Sequence, residues 1–363
     1  MKKKTLIAAL AALAAVAAAH AQGLAVSPSN PCIQYTGRVN FSNPESPLMV
    51  YPGTQVAISF TGTSLKMKAK PGSGYFNVEI DNLPVTKVQV APGDSVVTLA
   101  TGLSTRQTHT ARIYLAYEGY VYRPELRGFI LDDSATVVAP PARPKRKIEF
   151  IGNSMTCAFG SEAADRHCHF DYATENHYLS YSSLLCRMLD AEEMCVARSG
   201  IGAYRNYNGP AAGSKDNMNY WYDYTCYGDT TQRWDFSLFR PDIICVNLGT
   251  NDLSTTGYRV DLYKQAYRKL IVHLHQVQPQ AKIVMLAGGM LTGKALAQEI
   301  ATLDALQQEF KAQGLPTYRF TFSPYDGRYD YGAAMHPSRR QHELMAGELL
   351  PFLARLLAGG RAK

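Results

Sequence analysis

Ser154, Asn251 and His336 are of the types that could together cleave an ester, because a hydroxyl nucleophile needs a base within reach and hydrogen-bond donors where the acyl oxygen becomes charged. Each stands at a punctuated position. Gly152-Asn153-Ser154-Met155-Thr156 follows a short apolar run, and the glycine lets the chain turn sharply and present Ser154 at an edge with helix amides behind it. Ser199-Gly200-Ile201-Gly202 follows a second such run, so the bare N–H of Gly200 or Gly202 could approach an oxyanion; Gly200 is the favoured donor. Gly249-Thr250-Asn251-Asp252 follows a third and adds the Asn251 side-chain amide, while His336-Pro337 opens the last helical stretch. Taken singly, these are usually helix caps, turns and loop residues, and catalytic groups only about one time in ten. In this order they make a nucleophile, a base and three donors.

The elements that must position them are legible in the pattern. From 148 onward, short apolar strands at 148–151, 194–197, 243–248, 283–287 and 317–320 alternate with helical segments at 178–189, 260–277, 295–313 and 337–357, the last with Pro337 as its first helical residue. Such alternation implies an α/β unit in three layers, a parallel sheet covered by helices on both faces, with ligands bound beyond the carboxyl ends of the strands. Upstream, from 38 to 138, apolar and polar residues alternate in short runs broken by Pro52-Gly53, Pro71-Gly72, Asp81-Asn82 and Pro92-Gly93-Asp94, which reads as an all-β sandwich. The proline-rich stretch 140–147 separates the two and reads as a stiff linker. The expected division is a signal peptide at 1–21, a β-sandwich at 22–139, the linker at 140–147 and the α/β unit at 148–363.

Met1-Lys2-Lys3-Lys4, an alanine- and leucine-rich run and Ala19-His20-Ala21 form a secretory leader with a cleavage site, so the mature chain is expected to be secreted or periplasmic, with no membrane insertion after cleavage. The net charge of +7 includes the three leader lysines. With no basic run beyond 143–147, nucleic-acid binding is not expected. Of seven cysteines, Cys195 and Cys245 lie in core-strand patterns, whereas Cys168 and Cys226 lie in polar loops and are the candidate disulfide pair. No metal-binding motif occurs, so neither a metal nor another cofactor is expected.

The order of the four blocks resembles the SGNH hydrolase superfamily, and the stretches 148–157 and 234–236, leading into 241–242 and 247–252, resemble carbohydrate esterase family 2. Members of that family carry an N-terminal jelly roll ahead of the hydrolase domain, which fits the upstream β-region. The resemblance implies an esterase that removes O-acetyl groups from carbohydrate such as acetylated xylan or glucomannan. Ser154 would be its nucleophile and His336 its base, with Ser154 N–H, Asn251 and a glycine N–H as oxyanion donors. The sequence departs from the superfamily at two places: Asn153 stands for the first-block aspartate, and Ala333 stands three residues before His336, where the triad aspartate belongs. His336 must then be oriented by a backbone carbonyl, giving a Ser-His pair, or by Asp330 or Asp326. Trp221, Tyr224 and Trp234, with Tyr204 and Tyr207, are candidates for stacking on sugar rings, against the plainer reading that they cover the core edge. The alternative is a secreted glycan-binding protein that kept the fold and lost turnover. A lipase or thioesterase is disfavoured because these loops are polar.

Overall fold

The computed structural model describes residues 23–359, so the leader lies outside the described residues. Upstream of the proline-rich stretch, two antiparallel sheets face each other. One orders Leu24–Val26, Leu126–Leu131, Leu65–Ala69 and Val96–Ala100; the other centres on Gln55–Phe60, His109–Leu115 and Gly74–Ile80. Strand His109–Leu115 alternates buried and half-buried residues along its length, as a strand with one face on a core must. Ile58, Phe60, Leu65, Phe76 and Phe129 fill the space between the sheets.

Downstream, five parallel strands run in the order Ala191–Ala197, Arg146–Gly152, Ile243–Asn247, Lys282–Ala287, Thr317–Thr321. The central strand Ile243–Asn247 is buried throughout because both faces are covered. Ile243 and Cys245 pack with helices Tyr181–Met188 and Arg339–Leu357, while Ile244 and Val246 pack with Val260–Val277 and Gly293–Ala312. Arg146–Gly152, the first of these five strands along the chain, therefore lies inside the sheet, between the second and third. Ser154 stands just past its carboxyl end, and the stretches 199–202 and 249–252 leave the carboxyl ends of its two neighbours, at the switch point where such sheets bind ligands.

Two details differ from the sequence pattern. The first parallel strand starts at Arg146, within the stretch read as linker, where the Arg146 guanidinium donates to Leu189 O at 2.7 Å. The last helix begins at Arg339 rather than at Pro337, since Ser338 is the cap and its hydroxyl accepts from Gln341 N–H at 3.3 Å.

The β-sandwich is not a separate bead. Arg38 is fully buried against the α/β unit, where its guanidinium donates to the carbonyls of Tyr222 and Tyr224, pairs with Glu149 at 3.4 Å and lies over the Tyr222 and Trp234 rings. Burial lifts the Glu149 carboxyl to about 7, with Arg38 opposing. Leu48, Val50 and Tyr51 join the core of the α/β unit directly.

Candidate active site

Ser154 begins the four-residue helix Ser154–Cys157, and Asn153 caps it by accepting Met155 N–H at 3.1 Å. Asn153 thus serves the turn as an aspartate would, as an acceptor. Ser154 Oγ lies 2.9 Å from His336 Nε2, across 182 residues of sequence. The other ring nitrogen, Nδ1, lies 3.1 Å from both Ala333 O and Ala334 O. Carbonyl oxygens only accept, so Nδ1 carries the proton and Nε2 is left as the acceptor for the serine hydroxyl.

The ring is wedged rather than charge-paired. Phe159 packs on it at 4.3 Å between centroids and is itself stacked on Phe170 at 3.9 Å. Burial pushes the His336 imidazole down to about 4, against the two carbonyls that favour its protonated form, so it is neutral at neutral pH. Neither Asp330 nor Asp326 reaches it: the Asp326 carboxylate is engaged by Arg328, Asp330 is exposed, and among the described residues no carboxylate bonds the ring. Ala333 is fully buried where the chain crosses Gly160, and a Cβ on that glycine would lie 2.4 Å from the alanine's own, so the crossing needs glycine at 160.

On the other side of Ser154, two loops face each other. Gly200 sits at φ +81°, in left-handed backbone that favours glycine, and its N–H has no partner among the described residues. Gly202 N–H instead donates to Asn206 Oδ1 at 3.2 Å, which removes it from the candidate donors. Asn251 Nδ2 donates to Ile201 O at 2.7 Å; one N–H of the amide is fixed and the second stays open. Sequence reasoning missed what holds these loops. Asp252, fully buried, accepts from the N–H groups of Ala203, Tyr204 and Arg205 at 3.1, 2.7 and 3.0 Å, tying the two strand-end loops together. Burial lifts its carboxyl to about 6 while those three donors pull it down. Nothing local to Asp252 in the sequence shows that its partners lie 47 to 49 residues upstream.

The aromatic candidates separate. Trp221 and Tyr224 are half-buried in a cluster with Tyr220 and Tyr227; Tyr227 meets Tyr120 at 5.3 Å, and both of these rings lie by the Arg198 guanidinium, next to Ser199. Trp234 is buried with its ring under Arg38, so it offers no face to a sugar. Tyr207 is 57% exposed, and its N–H donates to Gly200 O at 2.8 Å, which fixes an open aromatic residue at the glycine. All seven cysteines are free: Cys226 is buried, Cys168 is half-buried near Ala334, and the expected bridge is absent.

Comparison with known proteins covers both parts of the chain. Residues 35–141 match the carbohydrate esterase 2 N-terminal family, and residues 150–344 match the GDSL-like lipase/acylhydrolase family. The chain is 34% identical to the cellulase/esterase CelE of Acetivibrio thermocellus over 88% of its own length, although it spans only 39% of that protein. It is 29% identical to an acetylxylan esterase / glucomannan deacetylase of Cellvibrio japonicus, over 92% of this chain and 91% of the other. The solved family two carbohydrate esterase from Clostridium thermocellum in complex with cellohexaose superposes with a TM-score of 0.83 at 33% identity, covering 90% of this chain and 99% of that one.

Proposed function

The chain belongs to carbohydrate esterase family 2, on a GDSL-like hydrolase fold, and from that premise we propose that it is an exported serine esterase that removes O-acetyl groups from polysaccharide such as xylan or glucomannan. What carries the reading is one chain of contacts, from the Ala333 and Ala334 carbonyls through His336 to Ser154 Oγ. As Ser154 Oγ attacks the acetyl carbon, Nε2 takes its proton. The negative charge that develops on the acyl oxygen is met by Ser154 N–H, Gly200 N–H and the open N–H of Asn251. The imidazolium gives the proton to the sugar oxygen as its bond to the acyl carbon breaks, freeing the sugar hydroxyl, and water then attacks the acetyl-enzyme by the same route to release acetate and restore Ser154. Carbonyl dipoles stabilise the imidazolium less than a carboxylate does, so the pair is a slower base than a triad and still a base.

Sugar specificity is assigned to the aromatic rim, with Tyr207 beside Gly200 and the Trp221–Tyr224 cluster beyond Arg198; these rings can cover apolar sugar faces. Export rests on the leader, and among the described residues no helix is long and apolar enough to cross a membrane. The glycan-binding alternative draws on the absent carboxylate beside His336. One experiment separates the two. Purified protein should release acetate from acetylated xylan or glucomannan and from a chromogenic acetyl ester, and Ser154→Ala should lower kcat by on the order of 10⁶ with the fold intact. A wild-type protein that binds these glycans and releases no acetate overturns the esterase in favour of the binding protein.

A further inference from the structure

Outside the reacting groups, one buried polar cluster has no role in the mechanism above. Glu118, Cys157 and Glu175 converge from three segments, with their ligand-type atoms within 4.8 Å of one another and all three side chains buried. Glu118 belongs to the β-sandwich, just after strand His109–Leu115. Cys157 closes the helix that Ser154 opens, and Glu175 follows the short turn Tyr172–Thr174. The Glu118 carboxylate accepts both the N–H and the Oγ–H of Ser199, the residue before Gly200. Neither carboxyl oxygen of Glu175 has a hydrogen-bond partner of ordinary geometry.

Two carboxylates this close in a dry pocket cannot both be charged, so the pair holds a proton. The two donors of Ser199 point at Glu118 and keep it the acceptor, which leaves the proton on Glu175. Burial first, then repulsion from Glu118, holds the Glu175 carboxyl well above the usual range. The cluster thereby joins three things that must keep register: the nucleophile turn through Cys157, the oxyanion loop through Ser199, and the β-sandwich through Glu118.

We propose that Glu118 is a positioning residue for the oxyanion hole: by holding both donors of Ser199 it sets the Gly200 N–H against Ser154, so the active site is complete only with the β-sandwich docked. The inference rests on the esterase reading. A divalent cation is the competing occupant of the cluster; with both Glu118 oxygens already engaged by Ser199, a proton held on Glu175 fits better.

The test is steady-state kinetics on a small acetyl ester. Glu118→Ala is expected to lower kcat by about tenfold to a hundredfold with KM within about threefold, since a sub-ångström misplacement is felt mainly in the transition state. Ser199→Ala, which removes one of the two donors, should lower kcat by roughly a few fold, and the double variant should be no slower than Glu118→Ala alone, because both act through one contact. Glu118→Gln keeps one acceptor and should fall between wild type and Glu118→Ala. Should Glu118→Ala fail to fold, Ser199→Ala and Glu118→Gln carry the same decision. A folded Glu118 variant with wild-type kcat, losses confined to KM, or additive losses in the double variant would overturn the proposal. So would a stoichiometric metal in the purified protein whose chelation abolishes activity. Absence of hydrolysis in the wild type would instead remove the esterase reading itself, so the two failures cannot be confused.

Discussion

On one side of Ser154 the loops that carry the proposed oxyanion donors hang from buried carboxylates, Asp252 beneath the 203–205 amides and Glu118 beneath Ser199, whereas on the other side His336 is held by two neutral carbonyls and an aromatic wedge. The backbone differs in the same sense: Ala334 and Met335, just before His336, sit at φ 48° and 65°, a left-handed conformation that costs a non-glycine residue about 1–2 kcal/mol each. The contrast follows from what each side must do. Donors to a developing oxyanion are useful only if already in place, so they repay rigid anchoring by charge. A base at this site must stay unprotonated until the serine gives up its proton, and a carboxylate on Nδ1 would raise its affinity for protons in the resting enzyme. Carbonyls orient the ring and leave it neutral.

Short of removing the nucleophile, the larger effect among these contacts should come from breaking the anchored side. Asn251→Ala is expected to lower kcat by about 10²–10³ with KM nearly unchanged, as for a donor used chiefly in the transition state. A variant altered in KM alone would move Asn251 out of the oxyanion hole.

The neutral side makes a prediction about pH. His336 titrates at about 4, and catalysis needs its neutral form, so kcat/KM should hold from pH 7 down to 5 and fall only as pH drops through 4. A histidine at its ordinary value near 6.5 would already have lost about thirtyfold at pH 5. A pH profile that bends near 6.5 would therefore refute the uncharged pocket.

The smallest effect sharpens the same point. Asp330→Asn and Asp326→Asn should each leave the rate within about tenfold of wild type, where the loss of a triad carboxylate costs on the order of 10⁴. A collapse in either folded variant would mean that the loop rearranges to bring that carboxylate onto Nδ1.

Several elements are legible in the sequence alone. The helix expected at 260–277 is Val260–Val277, and each of the five expected parallel strands exists with ends displaced by three residues or fewer. Hydrophobic runs of that length bounded by glycine and polar residues have few other ways to bury themselves. Helix starts were less legible: a proline can open a helix, and only the Ser338 hydroxyl on Gln341 N–H shows which residue caps. The expected Cys168–Cys226 bridge failed because loop polarity says nothing of where two thiols end up.

Residue types alone set out the chemistry on offer: a serine after the first parallel strand, glycine and asparagine after its neighbours, and a histidine before the last helix, in an order that suits acyl transfer. Those choices are made by side-chain identity and by strand-end position, both readable along the chain. Folding spends the Gly202 N–H on Asn206 and leaves that of Gly200 open among the described residues, a difference no local pattern marks. Folding also covered Trp234 with Arg38, set Glu118 of the β-sandwich under Ser199, and gave the orientation of His336 to backbone carbonyls. A carbonyl is present at every residue, so a site that uses one leaves no mark in sequence, and an anchor 81 residues away is visible only once the two units pack together.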